Sequence, residues 1–224
     1  MRRVLLLSLL AFNFISYGQS LRVGLVGQAG LNYYTAQSDG SGASQNFKLQ
    51  HKPIVAYQAG FIAFKELNPE VTFVTGLVLA QRGVKSQYNT SNITAFNFSN
   101  SGYDLKLIDR YFEIPLLLNL HIIKKETVSF FASFGIKPSF YFNSVSKIVG
   151  SSSNYSRYYY SAHRRFNLFA CIGAGANFKV SEKFDLVVWP SLEHAIISEV
   201  YASPLKLYPY SVGINLCLLY SLGN

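Results

Sequence analysis

The segment Ser191-Leu192-Glu193-His194 holds the three side-chain types of a nucleophile, an orienting acid and a general base. A serine is activated only when a base lies within hydrogen-bond reach and a third group orients that base. Four charged residues, Arg82, Glu113, Lys137 and Glu193, stand inside otherwise apolar or small-residue segments. Such charges can form an ion path, a ligand site or a set of structural ion pairs. The two cysteines, Cys171 and Cys217, and the four histidines, His51, His121, His163 and His194, are the soft candidates for redox or metal chemistry. Their spacing matches no metal-ligand pattern, and no phosphate loop or dinucleotide fingerprint is present. The run SRYYYSAHRR joins aromatic to basic groups, with Arg157, Tyr158, Tyr159, Tyr160 and Arg164 as contacts for an anionic sugar or lipid phosphate. The same arginines would also meet lipopolysaccharide phosphates without a dedicated site.

Which of these groups meet depends on the elements that carry them. The stretch RYFEIPLLLNL at 110–120 contains both a charge and a proline inside an apolar run. Split by parity, Phe112, Ile114, Leu116, Leu118, Leu120 and Ile122 take one face. Tyr111, Glu113, Pro115, Leu117, Asn119 and His121 take the other. Period two is the signature of a strand with one apolar side. Tilted at 45°, the apolar row spans about 25 Å, the height of the lipid band of an outer-membrane barrel. Comparable alternation runs through Val128–Asn143, Arg165–Phe178, Tyr208–Tyr220 and Leu21–Asn32, and less cleanly through 52–66, 70–86 and 183–197.

Short polar turns near Asn68-Pro69-Glu70, Lys124-Lys125-Glu126 and Ser181-Glu182-Lys183 alternate with longer connections near 36–51, 87–103, 144–163 and 198–206. That rhythm predicts one all-β domain, an eight-stranded antiparallel up-and-down transmembrane β-barrel over residues 19–224. A soluble lipocalin-like barrel has the same alternation with the faces reversed. The apolar rows are long enough to cross a bilayer, and the mixed face is rich in glycine and small polar residues that suit a narrow lumen. Both features place the apolar face outward.

Residues 1–18 carry a positive start at Arg2 and Arg3, an apolar Val4–Ile15 segment and a Ser16-Tyr17-Gly18 cleavage site, which predicts a signal peptide. Its removal lowers the formal net charge of +9 by the two arginines. Export argues against nucleic acid as the partner of the remaining basic excess. The 14% charged content and mean hydropathy of +0.18 fit a lipid-facing chain.

Parity then sorts the chemistry. His194 points away from Ser191 and Glu193, so the three form no relay; Ser161 and His163 remain as a loop pair that could serve a rim-located lipid-modifying enzyme. Arg82, Glu113, Lys137 and Glu193 all point inward, where charges must pair. Glu113 is expected to meet Lys137 on the adjoining strand, with Arg82 and Glu193 joining them. Pro115 predicts a bulge or bend. Cys171 and Cys217 share the lumen face about 9–10 Å apart, beyond disulfide reach.

RYFEIPLLLN, GLVLAQRGVK at 76–85 and FACIGAGANF at 169–178 together resemble the PorT-like outer-membrane barrels. In that family a Tyr-x-Glu-x-Pro-Leu-Leu-Leu strand is typical, matched here by Tyr111, Glu113, Pro115 and Leu116 to Leu118. The resemblance implies an outer-membrane location in a Gram-negative cell and an accessory role in protein secretion. It also implies contact with the barrel assembly machinery, which reads a terminal aromatic residue; here Tyr220 is followed by Ser-Leu-Gly-Asn. The expected function is non-enzymatic and without a cofactor, with the loops or the periplasmic face contacting a secretion-system or surface partner. Outer-membrane lipid and lipopolysaccharide surround the barrel. A small-solute porin is the alternative.

Overall fold

A period-two chain with one apolar face must close on itself to satisfy its backbone in lipid, because any free edge would leave amides unpaired. The computed structural model of the protein describes residues 21–38, 50–88, 103–149, 156–157, 164–199 and 205–222. The expected signal segment at residues 1–18, most of the long loops, and Tyr158, Tyr159, Tyr160, Ser161 and His163 lie outside the described residues. Eight long strands appear: β1 (Leu21–Ser38), β2 (Ile54–Asn68), β3 (Val71–Tyr88), β4 in two halves (Tyr103–Glu113 and Leu116–Lys124), β5 (Val128–Val149), β6 (Phe166–Lys179), β7 (Phe184–Ala195) and β8 (Leu205–Ser221). Two short pieces, Gln50–Lys52 and Ser156–Arg157, pair with β3 and β5.

Every long strand pairs antiparallel with its sequence neighbours, and β1 also pairs with β8 from Arg22↔Ser221 to Ser38↔Leu205, which closes the ring. The short turns are built by side chains. Asn68 Oδ1 accepts the amides of Glu70 at 2.9 Å and Val71 at 2.8 Å, and Ser181 Oγ accepts that of Phe184 at 3.1 Å. Near this end, Arg22 bridges Glu66 at 2.6 Å and also pairs with Asp185, tying β1 to β2 and β7 across the lumen.

The apolar parity faces outward as expected. Phe61 is 72% exposed and Ile122 70%, whereas Glu113 is 0% exposed. The break at Pro115 is milder than a bulge. Val78 pairs Glu113 and Thr75 pairs Leu116, so the ladder resumes in the same register beyond the proline. Proline withholds one amide, and the neighbouring Ile114 N–H donates to Pro138 O at 2.9 Å. The register shifts lie elsewhere, between Glu66 and Asn68, between Arg110 and Tyr111 and between His121 and Ile123.

The lumen also differs from a uniformly small-polar filling. Its turn half is an apolar plug that includes Ile62, Phe64, Val74, Leu117, Phe131, Val187, Trp189 and Leu219. Glycine makes room for the rings. A Cβ on Gly175 would lie 2.4 Å from Trp189 Cβ and 2.9 Å from Phe131 Cζ. Gly175→Val is therefore expected to force these rings apart and destabilise the barrel by roughly 1–3 kcal/mol. The urea midpoint of barrel folded into lipid vesicles measures this, and an unchanged midpoint would refute the packing account.

Candidate functional site

Above the plug, each strand's inward parity positions brings polar side chains into one layer. Arg82 comes from β3, Glu113 from β4, Lys137 from β5 and Glu193 from β7. All four sequence-predicted lumen charges meet here, and none exceeds 6% exposure. Their pairing differs from the expected one. Glu113 takes Arg82 rather than Lys137: Arg82 Nε donates to Glu113 Oε1 at 3.0 Å, and Nη2 donates to Oε1 at 2.9 Å and Oε2 at 3.1 Å. Lys137 instead donates to Glu193, and to Gln58 Oε1 at 3.1 Å. The reason is reach: the guanidinium fork meets a carboxylate in the plane of two donors, which a single ammonium cannot match.

Glu193 is the hub. It accepts from Arg82 and Lys137, from Gln58 Nε2 at 3.0 Å, and from Gln28 Nε2 and Ser211 Oγ at 3.4 Å. Arg82 Nη1 donates to Ser211 Oγ at 2.8 Å, and the guanidinium lies 4.2 Å from the Phe169 ring centroid. Below, Asn215 Nδ2 and Gln28 Nε2 donate to Ser191 Oγ at 2.9 and 3.1 Å. Two cations face two carboxylates, so the layer is neutral as well as hydrogen-bonded.

This arrangement restricts chemistry. A carboxylate saturated by five donors is a poor base, and Ser191 is committed to amides rather than to a histidine. His194 stands on the opposite face, stacked on Tyr210 at 6.3 Å, so the segment makes no relay. The cavity bordered by Lys137, Cys171, Ser191 and Glu193 holds ≈ 10 Å³, about the room of a single water. Cys171 and Cys217 are buried free thiols. No group of three or more His, Cys, Asp or Glu among the described residues could hold a metal ion.

The amide and hydroxyl members of the belt, Gln28, Gln58, Ser211 and Asn215, were readable only as inward-facing residues, because their partners stand on distant strands. A second cluster, Tyr34, Asp109 and Glu199, stands on the loop side and carries no signal in the sequence pattern. Asp109 shares the inward parity of Glu113, but Glu199 lies past the end of β7 where alternation no longer reports direction. Of the predicted loop contacts, Arg157 pairs with Ser146 through its backbone and Arg164 is exposed, its amide donating to Glu199 O at 2.8 Å.

Residues 17–194 match the family model of the outer membrane protein beta-barrel domain. No curated protein matches the chain. Among solved structures, the chain is similar to the outer membrane protein OprG from Pseudomonas aeruginosa, at 11% identity and a TM-score of 0.47, over 92% of this chain and 97% of that one. It is similar to Neisserial surface protein A at 11% identity and a TM-score of 0.38, over 87% and 96%. Similarity to the outer membrane protease OmpT from Escherichia coli is 9% identity and a TM-score of 0.42, over 93% and 100%.

Proposed function

The chain belongs to the outer membrane protein beta-barrel domain family, and from that premise we propose that it is a closed, non-conducting and non-enzymatic barrel that presents its loops to a partner. The barrel lies in the outer membrane, with the short turns on the periplasmic side and the long loops outside. One observation carries the reading. The lumen is filled across its width by the Arg82–Glu113–Glu193–Lys137 belt over an apolar plug, so the barrel body has no room for a solute path or a substrate. A wall with nothing to conduct serves to hold what its connections display.

An accessory part in protein secretion, the role implied by resemblance to PorT-like barrels, is the finer reading. It rests on the Tyr111, Glu113, Pro115 strand motif. Export by the signal segment at residues 1–18 is part of the same proposal.

Purified barrel in planar bilayers is expected to show no stepwise conductance above the lipid baseline. Discrete, reproducible steps would favour the small-solute porin. Expression is likewise expected to leave the mass of lipid A unchanged, and a mass shift would favour a lipid-modifying enzyme. Crosslinking in the native membrane followed by co-purification identifies the partner; secretion components among the captured proteins would support the finer reading.

A further inference from the structure

Three side chains converge on the loop side of the belt. Tyr34 on β1 donates its O–H to Asp109 Oδ2 on β4 at 3.2 Å, and it also lies close enough to Glu199 to feel that carboxylate's charge. Glu199 is held in place by its backbone, its N–H donating to Leu207 O at 2.8 Å and its carbonyl accepting from Arg164 N–H at 2.8 Å. The segment beyond β7 is thereby clamped between β8 and the approach to β6, and the carboxylate is delivered into the barrel mouth.

The carboxylate found there is unusual. Glu199 is 1% exposed, and neither of its buried oxygens has a full hydrogen bond: the Tyr34 hydroxyl that faces it is given to Asp109 Oδ2. A buried ionised carboxylate without a donor of its own is costly, and groups in that state meet a cation or bind a proton. The belt below has no cation to spare, since Arg82 and Lys137 are matched by Glu113 and Glu193.

Neutral oxygens complete the picture. Asn32, 0% exposed, donates Nδ2 to Gly83 O at 2.7 Å, which orients its amide and leaves Oδ1 buried and unpartnered. Ser144, directly opposite Asp109 in the β4–β5 register, also has a buried, unpartnered Oγ. Carboxylates, amide and hydroxyl oxygens with no nitrogen or sulfur donor are the ligand set of a hard cation.

We propose that the loop end of the lumen binds a divalent calcium-like cation between Glu199 and Asp109, with Tyr34, Asn32 and Ser144 supplying neutral oxygens. Two carboxylates cancel its charge, and water completes the six to eight oxygens that calcium takes. The site would lock β1, β4 and the end of β7 together at the mouth, beneath the loops. It does not depend on the proposed display function.

The test uses barrel refolded into phosphatidylcholine vesicles, which lack the divalent-binding phosphates of lipopolysaccharide. Calcium chloride is titrated calorimetrically, and terbium is followed by tyrosine-sensitised emission. Wild-type barrel is expected to bind a single calcium, with Glu199→Gln weakened by roughly tenfold or more and Glu199→Asp intermediate. Tyr34→Phe should reduce terbium emission. No calcium binding by the wild type overturns the site, as does equal affinity in Glu199→Gln. If Glu199→Gln does not assemble, the Glu199→Asp titration decides, and undiminished affinity there overturns the proposal.

Discussion

Glu193→Gln is expected to lower the urea unfolding midpoint of vesicle-folded barrel more than any other single change in the charge belt. Glu193 is the only belt carboxylate that meets both cations, and its neutralisation leaves Lys137 with no carboxylate, only the neutral Gln58 amide, and leaves Arg82 with Glu113 as its one carboxylate. Breaking a buried ion pair on one side costs roughly 3–5 kcal/mol, because the remaining charge has lost its solvent and its partner together. Glu113→Gln should cost less, since Arg82 keeps Glu193. Adding Lys137→Met to Glu193→Gln should recover part of the loss by removing the stranded ammonium.

Double-mutant cycles separate the observed pairing from the one expected from parity alone. Arg82→Met with Glu113→Gln should be strongly non-additive, because these two share three donor–acceptor contacts. Lys137→Met with Glu113→Gln should come closer to additive, because their link runs through Glu193. Equal coupling energies in the two cycles would contradict the network. A Glu193→Gln barrel as resistant to urea as the parent would show that the belt contributes nothing to stability.

The second large effect belongs to the lipid face. On β8 the outward residues Val212, Ile214, Leu216 and Leu218 form an exposed apolar row between Tyr210 and Tyr220. Leu216, 54% exposed, stands near its middle. Leu216→Arg is expected to cost about 2–4 kcal/mol, the price of an arginine at the bilayer midplane. Ile122→Arg on β4 is equally lipid-facing, but it lies two residues from Lys124 at the turn end, where the cost falls to about 0–1 kcal/mol. Unfolding in vesicles of defined thickness measures both. Equal penalties would mean that Leu216 does not sit at depth.

The contrast between these predictions reflects how far each kind of information travels along the chain. Which face a residue occupies is local, because the side chains of a strand alternate whatever the strand pairs with. Phe112, Glu113, Lys137, His194 and Glu193 could therefore be assigned to lipid or lumen from parity alone. The spacing of Asn68-Pro69-Glu70 and its counterparts likewise marked where the chain reverses, and an even set of strands with one lipid-compatible face has to close.

Pairing across the lumen is another matter. Whether Glu113 meets Arg82 or Lys137 depends on side-chain length and on the stagger between strands, neither of which is carried by alternation. The same holds for Pro115, whose effect on the ladder could be judged only from Val78↔Glu113 and Thr75↔Leu116 keeping one register. Trp189 and Phe131 share the inward parity of the small polar residues, and only their packing against Gly175 shows that the lumen is apolar at one end and ionic at the other. Glu199 is the extreme case. It lies beyond the last alternating residue of β7, and its direction was decided by backbone hydrogen bonds to Leu207 and Arg164, contacts that form only when β6, β7 and β8 stand side by side.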